Sequence, residues 1–305
     1  MTCYLYRYRV YRIPFRRPLP TPWGPWSERR GIIVTLEDED GRQGQGEIAP
    51  LPEFGSETYP EALEFCQSFP PLPRPEDLDP IPDNRPCCQF AFASALLALE
   101  SPPFLSPQNW AYSYLLPLSR DGRPVLTDLP SFPVYKWKIG RRDFAAESAE
   151  LPRIFEKLPP SAQLRLDANG TLTLADAQKW LALADHWGRI EFLEQPLAPS
   201  KLREMKGLAR DFATPIALDE SVSSIEALER LFQKNWPGLY VLKVAILGSS
   251  QGLTAWLKQT SGDRVIYSSA LETEIGRRNV LQWVARWGGP KRALGFGVDA
   301  WLGAS

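Results

Sequence analysis

A chain of 305 residues with 44% hydrophobic and 11% aromatic content can bury a large core, which excludes a disordered polymer and leaves room for one barrel-sized unit and a smaller one. Its 35 Lys and Arg against 36 Asp and Glu give a formal net charge of -1 with no basic block, so neither nucleic acid nor an anionic membrane is the expected partner; a small soluble substrate is. The first ten residues alternate apolar or aromatic side chains with Arg where a secretory signal needs an unbroken apolar run, and no later stretch suits a membrane span. Cys3, Cys66, Cys87 and Cys88 show no metal-ligand spacing, which predicts a reduced, cytoplasmic compartment.

Residues 1–13, 31–38 and 44–48 read as strands of a small antiparallel sheet. Between the first two, residues 17–30 carry four prolines, Trp23 and Trp26, and read as a stiff apolar loop able to cover a pocket. Helical patterns follow over 61–69 and 87–100, the second nearly all apolar and so expected to be buried. The Pro-rich segments 70–86 and 102–107 punctuate this part, and the second is the expected boundary of an α+β capping domain, residues 1–108.

From residue 109 the pattern alternates strand and helix. Short strands are expected at 112–116, 134–139, 163–166, 190–193, 214–218, 239–244, 264–268 and 293–296. Thr173 with Asp176 and Ser223 with Glu226 look like capping boxes opening two of the helices. Eight strands with helices between them predict an α/β fold, a modified TIM-type (β/α)7β barrel over 109–297 with a C-terminal tail, 298–305, returning to the cap. Two trims are expected: the connection after the 112–116 strand is too short for a full helix, and Pro152 interrupts the helix after Lys138.

The strand around Lys136 and Lys138 is the chemical centre of this pattern. Alternate residues on a strand share a face, so the two ammonium groups are forced together while Tyr135 and Trp137 point away. Crowding and desolvation lower a lysine toward the range of a general base, suited to removing a proton from carbon. From Lys138 the next polar strand ends fall 29, 27, 25, 24 and 25 residues apart, at Asp167, Glu194, Asp219, Lys243 and Ser268. Each interval is about one βα unit, which puts all six at the C-terminal rim where barrel active sites lie. Three carboxylates converging there repel one another unless a divalent cation intervenes, and oxygen ligands favour Mg²⁺ or Mn²⁺.

The motifs Lys136-Trp-Lys138, Asp167-Ala-Asn169, Glu194-Gln-Pro196, Asp219-Glu-Ser221 and Lys243 resemble the enolase superfamily, in particular its muconate-lactonizing-enzyme subgroup. Two stretches, Gly46-Glu47-Ile48-Ala49-Pro50-Leu51-Pro52 and Ser268-Ser269-Ala270-Leu271-Glu272-Thr273, further resemble the o-succinylbenzoate synthase family. N-succinylamino acid racemases share the same lysines and acids and stand as the alternative.

The resemblance implies a lyase, a metal-dependent syn-dehydration of 2-succinyl-6-hydroxy-2,4-cyclohexadiene-1-carboxylate on the route to menaquinone or phylloquinone. Asp167, Glu194 and Asp219 would bind the metal, Lys138 would act as base and then acid, and Lys243 would stabilise a metal-bound enediolate from the opposite side. Lys136 would hold Lys138 partly neutral. Asn169, Arg165, Glu220, Ser268 and Ser269 are the candidate supporting or substrate-binding residues. The only His, His186, falls late in a helix, which excludes His-Asp dyad chemistry and a Ser-His nucleophile. Only one acid, Asp299, follows Gly295-Phe-Gly297, so the paired aspartates associated with dipeptide epimerases are missing. A non-catalytic descendant should have lost some of the six positions, and all are present.

Overall fold

The computed structural model describes residues 3–21, 24–78, 80–101, 104 and 109–297. The expected boundary near 108 and the tail 298–305, with Asp299, lie outside these residues.

Three strands, β1 (Leu5–Thr21), β2 (Gly24–Glu37) and β3 (Gln43–Ile48), form an antiparallel sheet in the order β1-β2-β3. Here the reading of 17–30 as a loop is corrected: the hairpin stays paired as far as Thr21 opposite Gly24. Proline removes a ladder donor, but β1 is an edge strand, and a register shift between Pro14 and Leu19 absorbs the mismatch. Trp26 packs against Phe15 of the same hairpin; Trp23 lies outside the described residues.

Helices α1 (Tyr59–Ser68), α2 (Pro75–Leu78) and α3 (Pro86–Glu100) complete this layer. A capping box of Thr58 and Glu61, not anticipated, opens α1. α3 lies directly on β3 because Gly46 has no side chain: a Cβ there would fall 1.8 Å from the Ala91 carbonyl oxygen. Tyr6, Phe69 and Phe92 fill the space beneath, with ring centroids 4.6–5.5 Å apart.

Eight parallel strands follow: β4 (Tyr112–Leu115), β5 (Val134–Lys138), β6 (Gln163–Asp167), β7 (Ile190–Glu194), β8 (Ile216–Leu218), β9 (Leu239–Leu242), β10 (Val265–Tyr267) and β11 (Leu294–Gly297). Their order is β10-β9-β8-β7-β6-β5-β4-β11, and a bridge from Ser268 to Gly295 joins the two ends into a barrel. The crossover from β4 to β5 carries no helix, as its length required. The next is split at Pro152 into α4 (Phe144–Ser148) and α5 (Leu151–Lys157). Then come α6 (Leu174–Trp187), α7 (Leu202–Asp211), α8 (Ile225–Gln233), α9 (Ser250–Leu257) and α10 (Glu274–Arg286), one per crossover.

Thr173 caps α6 as expected, while α8 is capped one residue later than expected, by Ser224, whose hydroxyl accepts from the Ala227 amide. With the cap at Ser224 the third helical position is Ala227, so no capping box forms. Among the described residues no helix is long and apolar enough to cross a membrane.

The period-two alternation decides what each strand faces. Trp137 points outward and meets Trp180 of α6 edge-on at 5.9 Å, whereas Phe192, Ala217, Leu239, Val241 and Ile266 point inward and form a separate apolar plug in the barrel. That plug closes the barrel below its polar rim.

Candidate active site

The strand register explains why regular sequence spacing ends as a single rim. Lys138, Asp167 and Glu194 are direct neighbours across β5, β6 and β7. Glu194 pairs with Ala217, and Ala217 with Leu239, so Asp219 and Lys243 lie two and four residues further along their strands. In a barrel of tilted strands this stagger keeps inward side chains at one height.

At the rim each lysine meets a different surrounding. Lys136 Nζ donates to Glu194 Oε1 at 2.6 Å and lies 3.0 Å from Asp167 Oδ2. Lys138 Nζ donates to Asn169 Oδ1 at 3.0 Å and stands 3.8 Å from Asp167 Oδ2. Lys243 Nζ pairs closely with Asp219 Oδ1, and its other side lies 4.0 Å from the centre of the Phe54 ring, contributed by the cap. Asn169 Nδ2 donates on to Glu220 Oε1 at 3.0 Å, which links Lys138 to the acid following Asp219.

Burial and charge set these groups apart. Burial alone would lower Lys136, and the charges of Asp167, Glu194 and Asp219 outweigh it and hold that ammonium well above the usual lysine value. Lys138 is lowered: burial disfavours its charge, Asp167 opposes this only in part, and Lys136 and Arg141 add repulsion. Burial, with the neighbouring charges of Asp167 and Asp219, raises the Glu194 carboxyl to about 8, and burial with Asp219 and Asp167 raises Glu220 to about 7. Asp167, though buried, is drawn down to about 2 by Lys136 and Lys138.

As placed, the three acids are bridged by ammonium groups, and among the described residues no three His, Cys, Asp or Glu side chains close on one cation position. The donor set still fits a hard divalent ion. It is all carboxylate oxygen, and Asp167, Glu194 and Asp219, each buried, are neutralised at the rim by the ammonium groups of Lys136 and Lys243, the positive charge a cation would supply.

One expected side chain, that of Arg165, turns away from the rim. Arg165 points inward on β6, as its parity with Asp167 requires, but it is fully buried and donates to Glu191 at 2.7 Å, with its guanidinium 4.9 Å from the Phe192 ring. Arg292 holds the second oxygen of Glu191 at 2.8 Å, which makes a pair inside the barrel below the rim. Ser269 is buried and donates to Glu272, while Ser268 sits half-buried at the end of β10. His186 is exposed on α6, away from this chemistry.

Two residues escaped the sequence reading. Gln195, with φ of +35°, is wholly buried; its Oε1 accepts from the Asp219 and Ser221 amides, each at 3.1 Å, so it fixes the turn carrying the third acid. Glu147, buried in α4, accepts from the amides of Gly140, Arg141 and Arg142 and so ties down the loop after Lys138. Only the Gln-Pro turn signal pointed toward the first, and nothing local pointed toward the second.

Fold and rim together define the class: an enzyme of the enolase superfamily, with an α+β cap over a (β/α) barrel. Residues 125–260 match the family model described as Enolase C-terminal domain-like, and residues 2–99 match that of the MenC N-terminal domain. An o-succinylbenzoate synthase from Thermosynechococcus vestitus is 38% identical over 98% of this chain and 94% of its own length. One from Edwardsiella ictaluri is 32% identical over 92% and 85%. The crystal structure of o-succinylbenzoate synthase from Thermosynechococcus elongatus BP-1, complexed with magnesium in the active site, superimposes with a TM-score of 0.90, covering 98% of this chain and 95% of that one. The N-succinyl Arg/Lys racemase of Bacillus cereus, 15% identical with a TM-score of 0.77, shares the fold alone. The chain belongs to the o-succinylbenzoate synthase family.

Proposed function

We propose that the protein dehydrates 2-succinyl-6-hydroxy-2,4-cyclohexadiene-1-carboxylate to o-succinylbenzoate and water, a step toward menaquinone or phylloquinone in the cytoplasm. The observation that carries the reading is the unlike surroundings of two lysines on one strand. Lys136 is held by two carboxylates, while the closest carboxylate oxygen to Lys138 is 3.8 Å away. A lysine so placed is free to take a proton.

Asp167, Glu194 and Asp219 would hold a magnesium ion, which when bound supplies positive charge for the substrate carboxylate. Lys138 Nζ takes the proton from the carbon bearing that carboxylate. The resulting ammonium then donates the proton to the departing hydroxyl on the same face, so the net loss is one water and the lysine returns to its starting state. Lys243, reached across the rim from β9, offers its charge to the face opposite Lys138. Lys136 keeps a fixed positive charge near Lys138 and opposes its reprotonation from solvent. Asn169 fixes the Lys138 amine through a hydrogen bond of 3.0 Å.

A spectrophotometric assay of the dehydration with added Mg²⁺, on the wild type and Lys138→Ala, tests this. Turnover that disappears in the variant is the expected result. No turnover from folded, Mg²⁺-binding wild type would overturn the reading.

A further inference from the structure

The turn that leaves β10 is held from the cap at two points, by groups of opposite charge. Arg29 of β2 is buried, and its guanidinium donates to the carbonyls of Ala49 at 2.6 Å and Pro50 at 2.7 Å within the cap. The same side chain donates across to the barrel, to the carbonyls of Leu271 at 3.0 Å and Ala270 at 3.3 Å. Glu47 of β3, also fully buried, accepts from the amides of Thr273 at 2.9 Å and Gly276 at 2.8 Å, from the Thr273 hydroxyl, and from the Tyr11 hydroxyl at 2.6 Å. The cation thus takes the carbonyl side of residues 270–276, and the anion takes the amide side at the N-terminus of α10. Gly276 permits this approach, since a Cβ there would fall 2.7 Å from Glu47 Oε2.

The turn needs holding. Leu271 has φ of +60°, a left-handed conformation that leucine adopts only under constraint, and its carbonyl is the one that receives Arg29 Nε. Its side chain packs on Phe15 of the cap hairpin. Within the turn, Glu272 accepts from the Ser269 hydroxyl at 3.0 Å and the Ala270 amide at 2.6 Å, so a shift at 270–271 is passed back to Ser268 and Ser269. Those serines begin at the end of β10, where the Ser268 amide donates to Leu242, the residue before Lys243. Buried apolar contact would join cap and barrel without charge, whereas a buried fork of hydrogen bonds fixes direction and distance.

We propose that Arg29 and Glu47 are positioning residues, which hold the turn at 268–273 in its strained form and so set the affinity of the rim for the substrate. This rests on the dehydratase reading. The clamp couples the cap to the turn after β10 through two buried side chains, neither of which is among the rim groups assigned to the reaction.

The test compares wild type, Arg29→Lys, Leu271→Gly and the double variant by thermal melting, amide exchange over 268–273 and steady-state dehydration kinetics. Lysine keeps the charge but cannot fork to four carbonyls, so exchange in that segment and KM should each rise by about tenfold. Because the reacting groups are untouched, kcat should stay within about threefold. Glycine adopts positive φ unaided, so the double variant should recover most of the lost affinity relative to Arg29→Lys. Unchanged KM, or kcat falling as much as KM rises, or no rescue by glycine, would overturn the proposal. Should Arg29→Lys fail to fold, Glu47→Gln is judged by the same exchange and KM criteria. If the wild type itself does not dehydrate the substrate, the dehydratase reading fails, and unchanged exchange at 268–273 in Arg29→Lys would separately sink the clamp.

Discussion

Lys136 and Lys138 share one face of β5, yet Lys136 Nζ lies 2.6 Å from Glu194 while Lys138 Nζ finds its closest partner in the neutral amide oxygen of Asn169, at 3.0 Å. Two residues of identical chemistry thereby meet different surroundings. On the function proposed above, the first neutralises the acids and the second is left able to exchange a proton.

Lys138→Ala should therefore lose turnover by about a hundredfold to ten-thousandfold, the range a general base contributes. Its melting temperature should change little. Equal loss in Lys136→Ala and Lys138→Ala, with the same residual exchange of the substrate α-proton into D₂O, would contradict separate tasks.

Removal of divalent ions by a chelator should abolish turnover, and added Mg²⁺ should restore it. A ligand that binds only the folded chain also raises its melting temperature in proportion to the logarithm of concentration. Wild type should show that rise in millimolar Mg²⁺, and Glu194→Gln should show much less. A rise of the same size in both would remove Glu194 from the ligand set.

Phe54 reaches Lys243 from the cap, with the ammonium 4.0 Å from the ring centre. A cation–π contact of about 0.5 to 2 kcal/mol corresponds to roughly 2- to 30-fold in rate, so Phe54→Leu should lower kcat/KM within that range. A loss equal to that of Lys243→Ala would mean that Phe54 does more than support the charge.

Stability should respond to acid through Asp185, at the end of α6. Its exposed carboxylate is somewhat disfavoured by desolvation, but hydrogen bonds from the Thr214 hydroxyl and the Ala213 and Thr214 amides outweigh this and hold it below the usual aspartate value. A carboxyl lowered by folding adds stability above its unfolded pKa, near 3.9, and that stability is lost as pH falls through the lower folded value. Asp185→Asn should consequently melt below wild type at pH 7, and the gap should narrow below about pH 4. A gap independent of pH would show that the hydrogen bonds act without the charge.

Much of the architecture was legible from local rules. Alternation placed Lys136 and Lys138 on the inner face and Trp137 on the outer. Intervals of 24 to 29 residues marked successive βα units, and Pro152 marked the split helix. These features depend on period, length and the missing amide of proline, all of which are local properties.

Where those rules compete, the sequence misled. Residues 17–30 looked like a loop because proline and tryptophan dominate them, yet they continue a hairpin, since an unpaired edge tolerates proline. Ser223 looked like the helix cap, and its neighbour Ser224 took the place, a choice between adjacent like residues that only packing makes.

Tertiary structure alone decided how far the acids stand from the lysines, that Arg165 turns to Glu191, and that Gln195, Glu147, Arg29 and Glu47 hold the turns around the rim. The chain by itself determined which residue types arrive at the barrel rim, because period and spacing count along the backbone. It did not determine their partners, because a hydrogen bond between Glu47 and Thr273 joins groups 226 residues apart, and only the packing of cap on barrel brings them within reach.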